Sequence, residues 1–297
     1  MKVFLTGGMG FIGSYIAVEL LAKGDEVTIL ARDPNKIPRF LETPGISVAK
    51  GGLDDLDVIR EALEGKDACI HNALYWGDTP TKMLLNDTRA SVSVFEAAAE
   101  AGVKHLIYTS STAAIGPFKP HMEEGMHISP SDYYGATKAS TEAFLSAFSY
   151  RTEMRCNTVR PGYTIGNPVV EGAPIFSDTR FKTIVHAATH GEDIFVTKND
   201  GTQFVWAGDL AKIYSSVLHS DVNRQIYFGL AQDFASWEQI ARDAIELAGS
   251  SSKVVVEDKG YSDTPNLFDL GKIEREFGLS FRSQPALTDH LKYLIGK

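Results

Sequence analysis

Up to residue 160, short apolar or β-branched runs alternate with longer stretches in which apolar positions recur every three or four residues. The short runs, Val3–Thr6, Glu26–Leu30, Ile46–Lys50, Ala68–His71, His105–Thr109 and Arg155–Arg160, have the length of strands. The longer patterns, near Ile12–Lys23, Leu56–Leu63, Met83–Ala101 and Tyr134–Phe148, read as amphipathic helices. Strands alternating with helices predict parallel crossovers, hence an α/β fold on a doubly wound parallel sheet. After "RPGYTIGNP" the rhythm changes to loops with Gly and Pro, then helices near Asp178–Thr189, Asp209–Leu218, Trp237–Leu247 and Leu287–Ile295. The expected organisation is a first domain over residues 1–165, to which residues 203–230 return, and a smaller C-terminal cap over residues 166–297.

Composition narrows the function more than the fold. With 297 residues, 43% of them hydrophobic, the chain fills a core without small-scaffold staples. The formal charge is 29 − 38 = −9 and no segment gathers lysines and arginines, so no nucleic-acid or anionic-membrane partner is expected. No apolar stretch approaches the roughly 20 residues of a membrane span, and the N-terminal apolar run is cut short by glycine, so a cytoplasmic protein is expected. The two cysteines, Cys69 and Cys156, sit in strand-like runs and read as buried small hydrophobes in a reducing compartment. No metal site is expected.

The segment "VFLTGGMGFIGS" places Gly7, Gly10 and Gly13 at three-residue intervals between a strand and a helical pattern. Gly7 allows the tight turn, Gly10 lets backbone approach a pyrophosphate, and Gly13 lets the helix pack closely on the strand. Phe11 and Ile12 then carry free N–H groups of the helix start toward the anion. These features imply a dinucleotide site on a Rossmann sheet. After the second strand the sequence is "VTILARDPNK", with Ala31 where an acidic ribose ligand is usual and Arg32 beside it. A carboxylate would repel a 2′-phosphate, whereas arginine holds one, so NADP is expected in preference to NAD.

"SDYYGATK" offers a candidate acid–base pair. Tyr134 and Lys138 are four residues apart and share one helical face, whereas Tyr133 points elsewhere. Spacing alone carries little weight, because Tyr-x-x-x-Lys arises by chance in about half of chains with this composition, and Tyr293 to Lys297 repeats it at the terminus. The ordered set "TGGMGFIG", "YTSSTAAIG", "YGATK" and "RPG" carries more. It resembles the extended short-chain dehydrogenase/reductase family, which includes sugar-nucleotide epimerases and dehydratases and dihydroflavonol-type reductases.

The resemblance extends through "FVWAGDLA" and "SWEQIARDAIELAG", over the whole chain. It implies Ser111, Tyr134 and Lys138 as catalytic residues, with Leu53, Ala73 and Pro161 beside the dinucleotide together with Gly7, Gly10, Phe11, Ile12, Gly13, Arg32, Tyr134 and Lys138. It also implies a homodimer through the helices near Met83–Ala101 and Tyr134–Phe148. Tyr133 reads as a packing or substrate-side aromatic.

Two departures bear on substrate. Gly52 stands where relatives often carry an adenine-binding aspartate. Thr202 and Gln203 stand where sugar-nucleotide members place a diphosphate-binding arginine, and "VVVEDKGYSDTP" supplies no other. Tyr75, Trp76, Phe118, Tyr163, Phe176 and Trp206 are candidates for an apolar pocket. The expected activity is NADP-dependent hydride transfer to or from a carbonyl or secondary alcohol of a small, largely apolar molecule. The rival enzyme is a sugar-nucleotide epimerase or dehydratase holding NAD, and the non-enzymatic rival is a dinucleotide-sensing protein, which would need no triad.

Overall fold

The computed structural model describes residues 1–296; the pairing of Tyr293 with Lys297 therefore ends outside the described residues. Seven strands form one sheet: β1 (Lys2–Thr6), β2 (Glu26–Ala31), β3 (Ile46–Lys50), β4 (Ala68–His71), β5 (His105–Thr109), β6 (Arg155–Pro161) and β7 (Ile226–Gly229). Their order is β7-β6-β5-β4-β1-β2-β3, and every pairing is parallel. The order reverses between β1 and β4, and the crevice at such a reversal is where an α/β sheet takes its ligand.

The central strands β1, β4, β5 and β6 are buried toward both faces because helices cover both. On one face, α1 (Phe11–Ala22) packs with α6 (Ala207–Leu218) over Val3, Leu5, Ile29 and Ile107. On the other, α2 (Leu56–Leu63), α3 (Arg89–Glu100) and α4 (Tyr133–Arg151) cover Phe4, Cys69, Leu106 and Tyr108. Both cysteines are buried and unpaired, as expected of small core residues. Residues 207–218 and 226–229 supply α6 and the edge strand β7, so this stretch returns to the sheet.

A separate apolar cluster lies among α5 (Thr179–His190), α7 (Trp237–Ala248) and α8 (Gln284–Ile295), packed around a parallel pair of strands, Ile194–Thr197 and Val254–Glu257. Among the described residues no helix is long and apolar enough to cross a membrane.

The helix expected near Met83–Ala101 begins earlier, at Pro80, and is interrupted by a π turn at Leu84–Thr88 before α3. Apolar periodicity does not register one inserted residue. The strand β7 and the short turns at Pro34–Lys36 and Pro38–Leu41 also lie outside the expected elements.

Candidate active site

A cavity of about 1110 Å³ opens at the carboxyl ends of β1, β4, β5 and β6. Gly7, Gly10, Phe11, Ile12, Arg32, Leu53, Ala73, Ser111, Tyr134, Lys138 and Pro161 all line it. Gly13 does not. It sits inside α1, where a Cβ would collide with the Gly7 carbonyl, so it seats the helix on the turn and never faces the cavity.

The floor of the cavity fits a dinucleotide. Gly7 has φ +72°, and a Cβ there would come within 2.8 Å of the Ala73 backbone nitrogen, so both the turn and the close approach require glycine. The N-cap of α1 is Gly10, which offers no side chain to the first-turn N–H groups, and that turn carries no acidic residue. The helix start is thus left free for an anion.

At the second strand's end, Arg32 is exposed, and among the described residues no carboxylate pairs with it. Asp33 is occupied in accepting the Asn35 backbone N–H at 3.0 Å. Lys36 lines the same end of the cavity, a second cation that the strand-and-helix pattern did not single out. At the departure noted at Gly52, a Cβ would collide with the Asp54 carboxylate, and Asp54 also lines the cavity. A carboxylate from two residues downstream thus stands beside position 52.

Asp132 caps α4 by accepting the Gly135 N–H at 2.7 Å, which fixes where the helix begins and hence which tyrosine faces inward. Tyr134 lines the cavity, while Tyr133 is 64% exposed. Lys138 lies one turn on, 3% exposed, its ammonium 5.8 Å from the Tyr134 ring centroid and 5.2 Å from that of Tyr108. Gly135 lets α4 rest on the short turn Thr112–Ala114, since a Cβ would strike the Ala113 carbonyl. This contact brings Ser111, the N-cap of that turn, beside Tyr134. The Ser111 hydroxyl accepts the Ala113 N–H at 3.2 Å, leaving its proton to donate into the cavity.

Burial pushes the Tyr134 phenol above its ordinary value; Ser111 opposes this and the carboxylates of Asp87 and Asp132 add to it. Burial pulls the Lys138 ammonium below its ordinary value, and Asp87 opposes that shift. Arg160, from the "RPG" segment, is wholly buried and grips Glu142 of α4 through two bonds, Nε to Oε1 at 2.9 Å and Nη2 to Oε2 at 2.6 Å. Its third contact, to the Glu124 carbonyl at 3.0 Å, joins β6, α4 and the loop before α4 at one point. The sequence signal for this clamp was only the arginine preceding Pro161.

Of the candidate aromatics, Tyr75, Phe118, Tyr163 and Phe176 line the cavity. Trp76 packs on Tyr134 and, with Tyr133, lines an adjoining cavity of about 530 Å³. Trp206 belongs to neither and packs edge-on against Tyr15, with centroids 5.9 Å apart. Among the described residues no group of three or more His, Cys, Asp or Glu gathers to hold a metal.

The sequence model of the NAD dependent epimerase/dehydratase family matches residues 3–228. The chain belongs to that family. Proteins related to it in sequence include a 3 beta-hydroxysteroid dehydrogenase/Delta 5→4-isomerase of vaccinia virus (strain Copenhagen), 27% identical over 265 residues, 84% of this chain and 68% of that protein. A UDP-N-acetyl-alpha-D-glucosaminuronate decarboxylase of Bacillus cytotoxicus is 25% identical over 289 residues, 89% of this chain and 88% of that protein. In structure, the chain resembles the UDP-glucuronic acid 4-epimerase of Bacillus cereus solved with NAD, with a TM-score of 0.83 at 17% identity, covering 99% of this chain and 100% of that one. As a family member the chain is an enzyme of the NAD(P)-dependent short-chain dehydrogenase/reductase type.

Proposed function

We propose that this enzyme is an NADP-dependent oxidoreductase acting on the carbonyl or secondary alcohol of a small, largely apolar molecule, with Tyr134 as the acid or base. The distribution of charge around the cavity carries this reading. Its cations, Arg32, Lys36 and Lys138, come from the sheet domain, whereas the segments on the cap side bring Tyr163, Phe176, Ser177 and the carboxylate of Asp178. A diphosphate entering there would meet apolar rings and a carboxylate already paired with Arg180, with no free cation lining that side among the described residues, and burying it unpaired costs several kcal/mol.

The two residues at the departure from the sugar-nucleotide pattern do not compensate. The buried Gln203 amide is engaged with the Ala231 carbonyl at 3.0 Å and the Phe268 N–H at 2.7 Å, and Thr202 pairs with Ala235. Arg180 is engaged by Asp178 at 2.7 Å and Asp200 at 3.0 Å and lies over the Trp237 ring. Lys182 and His186 lie exposed on α5 and line neither cavity.

The dinucleotide would lie along Gly7, Gly10 and Ala73, with its adenosine toward Leu53 and Asp54 and a 2′-phosphate toward Arg32 and Lys36. When bound it supplies or accepts the hydride. The chain's own part is to hold the substrate oxygen between the Ser111 and Tyr134 hydroxyls and to move one proton through the Tyr134 oxygen. Lys138 lies beneath the phenol, where its ammonium steadies any negative charge that develops there. In the adjoining cavity, Trp76 and Tyr133 extend an apolar surface for the rest of the substrate. The exposed Phe144 and Tyr150 on α4 support a homodimer built through that helix and α3.

A second reading, a sugar-nucleotide epimerase or dehydratase with retained NAD, draws on the activities named for several relatives and on the NAD-bound structural neighbours. Calorimetric titration of the NADP-loaded protein with UDP and dTDP separates the two. No binding is expected. Micromolar binding of either nucleotide, or NAD released when the purified protein is denatured, puts the second reading first.

A further inference from the structure

The π turn at Leu84–Thr88 delivers one side chain, Asp87, into the ground beneath the acid–base pair. A π turn adds a residue to a helical turn and so rotates the side chains beyond it about the axis, a device often found at functional sites. The Asp87 side chain is 1% exposed; its Oδ1 accepts the Tyr75 backbone N–H at 3.2 Å, and its Oδ2 has no hydrogen-bond partner but lies 3.6 Å from Lys138 Nζ. One carboxylate thus touches both the catalytic helix and the segment that carries Tyr75 and Trp76.

The backbone beneath Asp87 is held by a relay whose donors run in one direction. Asn72 and Ala73 donate their N–H groups to the Thr6 hydroxyl oxygen, each at 3.1 Å, and Thr6 donates to His71 Nδ1 at 2.8 Å. His71 Nε2 then donates to the Ser91 hydroxyl at 2.9 Å, and Ser91 donates to the Asp87 carbonyl at 2.7 Å. Each hydroxyl has one proton, so this order requires neutral His71 with its hydrogen on Nε2. Burial accordingly holds the imidazole down, at about 3. Asp87 therefore sits in a fixed setting where no cation but Lys138 pairs with it among the described residues.

We propose that Asp87 is a positioning residue for the acid–base pair: its carboxylate offsets the Lys138 charge beneath Tyr134, so the tyrosine rests as the phenol that donates a proton in carbonyl reduction. The inference rests on the assignment of Tyr134 and Lys138 under the proposed function. In the reduction, hydride from a reduced nicotinamide dinucleotide forms the new C–H bond at the carbonyl carbon. The carbonyl π pair moves to oxygen and takes the Tyr134 proton, the nicotinamide is left oxidised, and solvent returns a proton to the phenolate.

The groups facing the pair from each packed element are consistent with this balance. Asp87 comes from the π turn, Asp132 and Glu142 from α4 and its cap, Tyr108 from β5 and Tyr214 from α6; Glu142 is already committed to Arg160. Ser111 alone among the uncharged neighbours works against the phenol form, and His71 adds no charge near neutrality.

Tyrosinate absorbance, titrated with pH in the intact chain with and without NADP, tests the idea without a known substrate. The wild-type curve minus that of Tyr134→Phe isolates Tyr134 from the other tyrosines. In wild type it should ionise no lower than an ordinary tyrosine, near pH 10. Asp87→Asn should lower that ionisation by about one pH unit or more, whereas Asp87→Glu, which keeps the charge, should stay near wild type. An unshifted curve in Asp87→Asn, or an equal shift in Asp87→Glu, overturns the proposal. Should Asp87→Asn not fold, the wild-type curve still decides, because ionisation well below that of an ordinary tyrosine contradicts it. Full reductase activity in Tyr134→Phe removes the acid–base assignment itself, an outcome separate from any movement of the curve.

Discussion

The indole of Trp76 packs against the ring of Tyr134, with centroids 5.6 Å apart and planes tilted by 34°. The contact is one-sided, since Trp76 remains 59% exposed. Under the proposed function, an aromatic left open beside the acid–base phenol would receive the apolar part of the substrate. Trp76→Ala should raise KM for a neutral aromatic ketone about 2- to 10-fold, with a smaller change in kcat, from the lost ring contact. Unchanged KM across a panel of aromatic and aliphatic ketones would count against an apolar substrate surface at this place.

Tyr134→Phe deletes one hydroxyl and keeps the ring. Turnover should fall on the order of 100- to 10,000-fold while dinucleotide affinity, read by fluorescence titration, stays close to wild type. Tyr133→Phe should be mild, since it keeps the ring and removes a hydroxyl from a side chain that is 64% exposed. The reverse pattern would mean that the wrong tyrosine has been assigned.

Arg32→Ala should weaken NADP about 10- to 150-fold and leave NAD nearly untouched, because only NADP carries the phosphate for a charge-assisted contact. The cation lies over the Tyr75 ring at 5.8 Å and, among the described residues, is not held by a carboxylate, so it is available to a ligand. Equal losses for the two cofactors, titrated on one preparation, would reduce Arg32 to a surface charge.

Arg160 and Glu142 should behave as a unit. Removing either partner alone strands a buried charge and should cost about 3–5 kcal/mol in urea denaturation, whereas Arg160→Met with Glu142→Leu should recover much of that loss. Additive losses in the double variant would show that the two side chains act separately.

His71 makes stability depend on acid. The unfolded ring takes up a proton near 6.5, but the folded ring resists it down to about 3. Above 6.5 the residue contributes no pH dependence; as pH falls below that value the unfolded state binds the extra proton and stability declines, until both states are protonated. His105 and His290, each held at about 4 by burial, act in the same sense. His71→Asn should show a shallower decline than wild type over this range, and identical slopes would exclude a neutral buried imidazole.

Much of this architecture was legible because the relevant signals are local. The glycine turn, the six strands through Arg160 and the separation of Tyr134 from Tyr133 follow from periodicity and from the four-residue spacing that puts Tyr134 and Lys138 on one helical face. What stayed hidden depends on contacts between distant segments. The Arg160 clamp needs Glu142 and Glu124 in place, Asp54 comes to stand beside Gly52 only once the loop is folded, and the π turn that turns Asp87 inward leaves the apolar pattern of its helix almost unchanged. Trp206 illustrates the opposite error: its large ring suggested a pocket wall, but its neighbour in space is Tyr15.

The chain leaves the sheet after β6, forms α5 and the strand Ile194–Thr197, returns to supply α6 and β7, and departs again into α7 and α8. The two lobes are consequently stitched together at several seams, and no single cut separates them. A fragment ending at residue 165 would lack the edge strand that completes the sheet and the helix that packs on α1, β5 and β6, baring Ile107, Val159 and one side of α1 to water. Transplanting this cap onto another dinucleotide-binding scaffold would therefore mean moving α6 and β7 with it, and new specificity is more simply reached by altering side chains such as Phe176 and Tyr163 in place.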